Sequence, residues 1–317
     1  MAFTDVAIIG GGPAGLTAAG TLAQQLHTAV VFDSRSYRNA AASHMHMVPT
    51  WDHRDPKEFR SAARQDILSR YSTIQFADVE VAKIEKISDS HFKVWDADGK
   101  ERDFRKVILA VGSSNIYPDI EGYEQLWSKK MLDKPLLSLR SLTTVYSATS
   151  AGVLAVAPVS SPAFVIHGAE NAAQLSKEVT LYTHGDQDLA GQLSAFANAT
   201  FKVEPRRIKR LVDNAQANTV TVEFEDGATR EEKFLLHAPQ TTVQGPFASQ
   251  LGLATTPMGD IAAEAPMYLT SVRGVFAAGD CITPYKVTPG AISSGCNAAV
   301  AASTQLLAEK HGHACMI

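Results

Sequence analysis

The sequence predicts an α/β protein of two Rossmann-like units (three-layer ββα), one discontinuous in sequence and holding the other as an insertion. Three observations predict this. They are a glycine-rich turn between an apolar strand and an alanine-rich helix near the N-terminus, an apolar strand and long helix at the other end, and a faint internal repeat between them. At 317 residues, with 45% hydrophobic and 20% charged residues, the chain can bury a large core and divide into two domains. A formal net charge of −4 supplies no basic field for a phosphate backbone, so nucleic acid is not expected as a partner. No apolar run of about twenty residues is present and no basic leader precedes the first strand, so the expectation is a cytoplasmic protein without a membrane span.

The opening stretch, DVAIIGGGPAGLTAAG from Asp5 to Gly20, carries the first signal. Val6 to Ile9 reads as a strand buried on both faces, and Pro13 to Leu26 as the helix packed on it. Between them, Gly10 permits the tight turn, Gly12 lets the backbone approach a pyrophosphate, and Gly15 lets helix and strand pack closely. Pro13 and Ala14 open the helix whose N-terminus faces the anion. A second strand, Ala29 to Phe32, ends in Asp33, where an acid accepts hydrogen bonds from ribose hydroxyls.

At the far end, GVFAAGDC (Gly274 to Cys281) is an apolar strand closing on Gly279 and Asp280. Thr288 and Pro289 then read as the N-cap and first position of a long terminal helix that includes Gly290 and Ala291. This pairing resembles the second FAD signature of two-dinucleotide flavoprotein reductases. The resemblance implies that Asp280 holds the ribityl chain and that the helix start faces the flavin, where its partial positive charge favours the anionic reduced form. Val107 to Gly112 (VILAVG) is similar to the strand and turn that close over the cofactor in such proteins, which adds Ala110 and Gly112. FAD, rather than NAD, is the expected cofactor.

Residues 79 to 110 read as a meander with a turn at Asp98-Gly99, and a similar pattern recurs at Thr219 to His237 with a turn at Asp226-Gly227. The expected division is therefore 1–119 plus 238–317 for a discontinuous FAD domain, with 120–237 as an inserted, degenerate nucleotide-binding-like unit. That second unit starts with the strand GVLAVA, Gly152 to Ala157, but Pro158-Val159-Ser160-Ser161-Pro162 follows where a glycine turn belongs. Two prolines remove backbone N–H donors from the would-be phosphate cradle. The next strand, VTLYTHG from Val179, lacks the arginines that usually accept the 2′-phosphate of NADP. The reading is a shell that has lost its nucleotide, with an unorthodox NADPH site as the alternative.

Over nearly its whole length the chain resembles the thioredoxin reductase family, and within it the fungal gliotoxin-oxidase-like flavoproteins of secondary metabolism. The resemblance rests on the FAD signatures, FDSRSYRNA (Phe32 to Ala40), SHMHMVPTWDHRDPKEFR (Ser43 to Arg60), IEGYEQLW (Ile120 to Trp127), VTLYTHG and AAGDCITPYKV (Ala277 to Val287). It implies an FAD-binding role for Ser34, Arg38, Asn39, His46 and Val81 as well, a homodimer, and oxidation of a small metabolite with molecular oxygen as acceptor. Relatives work through a cysteine pair shortly after the tryptophan. Here the chain reads SKKMLDKPLLSLRSLT after Trp127, and the two positions fall on Lys134 and Leu137.

No cysteine precedes Cys281, and Cys281, Cys296 and Cys315 are too far apart for a redox pair or a zinc site, so no metal is expected. Neither Lys nor Leu replaces a thiolate, which excludes thioredoxin reduction and dithiol oxidation by the family route. The candidate groups for other chemistry are His44, His46, Asp52 and His53, which titrate near neutrality or tune a group that does, and Lys134. Asp52 and His53 have a structural alternative, orienting the loop before a helix capped by Asp55, Pro56 and Glu58 with Phe59, Ala63, Ile67 and Tyr71 on its buried face. Two functions remain open: an FAD-dependent oxidase of a small metabolite, or a non-redox flavoprotein that isomerises, eliminates, cyclises or binds a metabolite.

Overall fold

The computed structural model describes residues 3–127, 129–132 and 148–317. Their elements run β1 (Thr4–Ile9), α1 (Pro13–Gln24), β2 (Ala29–Phe32), α2 (Pro56–Arg70), β3 (Ile74–Ala77), β4 (Val81–Ser88), β5 (His91–Asp96), β6 (Glu101–Leu109) and β7 (Ser113–Ile116). There follow α3 (Tyr123–Leu126), β8 (Met131–Leu132), β9 (Ala148–Leu154), α4 (Pro162–Ala173), β10 (Ser176–Tyr182), α5 (Gln187–Ser194) and β11 (Phe201–Glu204). The chain continues through β12 (Ile208–Asn214), β13 (Thr219–Phe224), β14 (Thr229–Glu232), β15 (Leu235–Leu236) and β16 (Gln240–Val243) to α6 (Phe247–Gln250), β17 (Val275–Ala277) and α7 (Thr288–His311). Two compact units result. One comprises the residues up to Ala40, Met47–Ser114 and Thr242–Ile317; the other comprises Ala41–His46 and the described part of Asn115–Thr241.

In the first unit, strands β3-β2-β1-β6-β5-β4 lie in that order, with β17 also on β6. The parallel register Ile8↔Val31, Ile8↔Ile108 and Phe276↔Ile108 places the strand ends side by side. Val6, Ala7 and Ile8 are each fully buried, as a strand covered on both faces requires. Val6 and Ile8 join the α1 and α7 side, and Ala7 and Ile9 the side of the meander, the alternation a pleated strand imposes. The predicted meander is present, but its last strand has two jobs. β6 pairs antiparallel with β5 as far as Phe104 and parallel with β1 and β17 beyond it.

The second unit has the strand order β11-β10-β9-β15-β8, which reproduces β3-β2-β1-β6-β17, and carries the separate meander β12-β13-β14. The internal repeat is thus real at the level of topology. Three details differ from the sequence expectation. The expected strand Gly152 to Ala157 is Ala148–Leu154, so it ends earlier and lengthens the turn. Helix α1 stops at Gln24, because Leu26 takes a left-handed φ of 60° with its side chain in solvent. Thr288 lies inside α7 and Val287 occupies the N-cap.

Candidate functional site

The C-terminal ends of β1, β2 and β6 open into a cleft within the first unit, where α1 also starts. Its volume of about 180 Å³, against the roughly 10–15 Å³ that one water occupies, suits an extended ligand rather than an ion. The glycines explain how the backbone forms it. Gly10 has φ 117°, and a Cβ there would stand 2.1 Å from the carbonyl oxygen of Ala110. A Cβ on Gly15 would stand 1.9 Å from the Gly10 oxygen, so neither position accepts a side chain. Gly12 meets nothing within 4 Å and faces open cleft. It is also the N-cap of α1 and supplies no side-chain acceptor, so the first-turn N–H groups of α1 are presented to a ligand. Pro13 and Ala14 complete this rim.

On the next strand, Asp33 is buried, with its carboxylate against Gly11. Its Oδ1 accepts from Arg35 N at 2.9 Å and its Oδ2 from the Tyr37 hydroxyl at 2.5 Å. Burial and the adjoining carboxylate raise the Tyr37 pKa, which keeps its hydroxyl a donor. Each carboxylate oxygen retains a lone pair for ribose hydroxyls. The Arg60 guanidinium lies 3.9 Å over the Tyr37 ring and donates to Asn39 Oδ1 at 3.0 Å, which fixes the loop carrying Ser34, Arg38 and Asn39 along the cleft wall.

Across the cleft stand Gly279, Asp280 and Ala291, and the floor includes Val81, Ala110 and Gly112. Gly290 is not in the wall; its carbonyl accepts from Ser294 Oγ, which in turn accepts from Gly279 N. Arg38 Nε donates to Asp280 Oδ2 at 2.9 Å. Lys286, buried, donates to Asp260 Oδ1 at 3.2 Å and to the carbonyls of Asp280 and Thr283 at 2.7 and 2.8 Å, so it holds the turn that presents Asp280. The N-terminus of α7 reaches the cleft through Val287 and Thr288 without a side-chain cap. A glycine cradle in which Gly10 and Gly15 leave no room for a Cβ and Gly12 leaves the approach open, two uncapped helix starts and an acid at the end of β2 fit a dinucleotide.

Sequence reasoning missed several residues of this wall, among them Tyr37, Ser113, Gln244, Phe247 and Lys286. Tyr37 had a signal, since a hydroxyl four residues after the ribose acid can reach it. Gln244 and Phe247 come from a segment with no glycine signature, and only the return of the chain brings them there.

The second unit's corresponding turn is built differently. Three residues, Gly10–Gly12, join β1 to α1, whereas seven, Ala155–Ser161, join β9 to α4. None of the seven is glycine. The Ser161 side chain caps α4 by accepting from Phe164 N, so one first-turn N–H already has a partner within the chain. Nearby, His237 is buried between two partners: Tyr123 Oη at 2.6 Å from Nδ1, and the Val156 carbonyl, to which Nε2 donates, at 3.1 Å. Burial depresses its pKa to about 4, so the ring is neutral.

None of the candidate reactive groups among the described residues, His44, His46, Asp52 and His53, belongs to the cleft wall. Asp52 and His53 pair at 3.4 Å and are both exposed; neither is among the residues of the cleft wall. Asp52 also accepts from Met47 N at 2.9 Å. Asp55 caps α2 by accepting from Lys57 N at 2.6 Å. His44 and His46 group with the second unit, and His44 Nδ1 bonds Ser43 Oγ. Lys134 and Leu137 lie outside the described residues. All three cysteines are free; Cys281 is fully buried, which pushes its thiol up to about 12. It is an inert packing residue at neutral pH.

The family model described as pyridine nucleotide-disulphide oxidoreductase matches residues 4–295, and the chain belongs to that family of FAD-dependent oxidoreductases. It is similar to thioredoxin reductase tcpT of Claviceps purpurea, 42% identical and covering 97% of this chain and 96% of that protein. It is 40% identical to thioredoxin reductase aclD of Aspergillus oryzae, covering 95% and 96%. Among solved structures, HlmI superposes with a TM-score of 0.85 at 29% identity, covering 98% of this chain and 94% of that one. No helix among the described residues is long and apolar enough to cross a membrane.

Proposed function

We propose that the protein is an FAD-dependent oxidase of a small metabolite, working without a redox dithiol. The observation that carries this reading is the contrast between a complete dinucleotide cradle in the first unit and a chain with no thiol before Cys281. Bound FAD supplies a two-electron acceptor, which molecular oxygen returns to its oxidised state by being reduced to hydrogen peroxide. The chain's own groups hold and orient it. Gly10, Gly12 and Gly15 admit the pyrophosphate to the α1 start, Asp33 takes the adenosine ribose, and Asp280 takes the ribityl chain beside the start of α7. Proton removal from the substrate falls to a base drawn from His44, His46, Asp52, His53 and Lys134. The seven-residue, glycine-free turn supports the absence of a nicotinamide partner. A homodimer in the cytoplasm completes the reading.

The loss of both the cysteine pair and the second cradle equally supports a second reading, a non-redox catalyst or metabolite binder that keeps FAD as structure. Candidate pathway metabolites added without oxygen separate the two by flavin absorbance. Bleaching supports the oxidase; turnover with the oxidised spectrum unchanged supports the second reading. Rapid bleaching by NADPH alone overturns the account of the second unit, and a purified protein with no flavin overturns both readings.

A further inference from the structure

The groups singled out for reactivity stay off the cleft wall, yet three of them meet one another. One ligand atom each of His46, Asp52 and His53 lies within 4.8 Å of the other two, and among the described residues this is the one such trio. All three come from eight consecutive residues of the loop between β2 and α2, so the cluster is local to that loop. Asp52 Oδ2 stands 3.4 Å from His53 Nε2. Two ligands held at about 2.0–2.2 Å by one tetrahedral ion stand about 3.3–3.6 Å apart, so this pair already has the spacing of a shared metal.

The loop is built to hold this arrangement. Met47, Thr50 and His53 take left-handed φ angles of 67°, 67° and 60°, three of the eight non-glycine residues that do so among the described residues. Such a backbone is unfavourable for any side chain, most of all for the β-branched Thr50, and it gathers where a site is pre-organised. Met47 N donates to Asp52 Oδ1 at 2.9 Å, which orients the carboxylate and leaves Oδ2 toward His53. Next to Asp52, the Trp51 ring meets the Phe59 ring of α2 at 5.5 Å and carries the Arg54 guanidinium 3.9 Å from its centre. Arg54 also pairs with Glu58 at 3.1 Å, so the cation beside the trio in sequence is engaged by a carboxylate of α2.

We propose that His46, Asp52 and His53 bind one divalent transition-metal ion of the zinc type. Two imidazoles and a carboxylate suit zinc, cobalt or nickel rather than calcium or magnesium, which take oxygen ligands. His46 is half-buried and the other two residues are exposed, so an ion enters directly from solvent, and a fourth position is left to water. The expectation of no metal rested on cysteine spacing, which these ligands do not involve. A bound ion takes up imidazole lone pairs that proton removal would use. The inference therefore goes beyond the proposed function, does not rest on it, and leaves His44 and Lys134 as its bases.

The test is calorimetric titration of the purified, metal-free full-length protein with zinc chloride, for the wild type, His53→Ala, Asp52→Asn and His313→Ala, the last an exposed histidine outside the trio. One equivalent is expected in the wild type and in His313→Ala. In His53→Ala and Asp52→Asn that binding weakens by more than the roughly 10- to 100-fold cost of losing a group that merely orients a ligand. Asn at position 52 still accepts from Met47 N, so its effect reports the carboxylate as a ligand rather than the loop. Both replaced side chains are exposed, so the metal-free variants keep the wild-type melting temperature, and zinc raises it only in the wild type and His313→Ala. Equal zinc affinity in all four proteins overturns the proposal, as does a wild type that binds no zinc below about 1 mM. Loss of binding together with a metal-free melting temperature well below the wild type's also overturns it, the pair then serving the loop alone.

Discussion

The two strand–turn–helix corners of this molecule share a topology and differ in what they offer a phosphate. At the first corner three glycines bring the backbone of β1 straight into α1, and the helix start has no side chain of its own to satisfy it. At the second, seven residues without glycine separate β9 from α4, and the Ser161 side chain accepts from Phe164 N at the helix start. Two units with the same strand order can therefore differ in whether their turn leaves room for close backbone approach. Sheet order is set by burial of apolar strands, which both units share; the approach of an anion is set by unsatisfied N–H groups and by room at the turn, and in these the two corners differ.

The sharpest way to disturb the first corner from behind is Lys286→Ala. It leaves the Asp260 carboxylate buried and unpaired and frees the turn carrying Asp280, so chemical denaturation should show a loss of about 3–5 kcal/mol. Gly12→Val follows. Because Gly12 meets no atom within 4 Å, the stripped chain should keep its melting temperature, yet the new side chain fills the cradle. The loss of two charge-assisted hydrogen bonds, about 3 kcal/mol, predicts FAD binding about 100-fold weaker by fluorescence titration. An unchanged affinity would remove the distinction between the corners.

Acid should separate the units. The His237 pKa of about 4 lies below its ordinary 6.5, so the unfolded chain binds the proton first and stability falls as pH drops from about 6.5 to 4. The shift corresponds to about 3 kcal/mol, lost from the second unit. In the first unit, burial opposes ionisation of Asp5, but hydrogen bonds from His27 and Thr28 hold its carboxyl at about 2. Its contribution persists to lower pH and is lost as pH falls from about 4 to 2. Hydrogen exchange across that range should therefore show the second unit opening first, and simultaneous loss of protection would contradict the assignment. The smallest effect belongs to Ser161→Ala, about 1 kcal/mol from the lost cap, with flavin affinity unchanged and no bleaching by NADPH.

Much of the first unit was legible because its signals are local. The run Val6 to Ile9, the glycines after it and the acid at Asp33 lie within one strand–helix–strand passage, where spacing alone decides which atoms meet. The repeat in strand and turn pattern was legible for the same reason. The β9 boundary was not, since apolar residues from Ala148 to Ala157 read equally well at either end of a strand. Nor was the cleft wall around Ser113 and Gln244, whose residues are separated by over a hundred positions. Their encounter depends on the chain leaving through β7 and returning through β16.

By itself the sequence determined the two Rossmann-like units, the glycine cradle and the missing thiols, because each is a property of residue type at short range. Only the tertiary structure decided which hydroxyls, cations and acids converge on the cleft. Long-range burial brings Lys286 to Asp260, Arg38 to Asp280 and Ser113 into the wall, and hydrogen-bond satisfaction is settled only when distant segments have met.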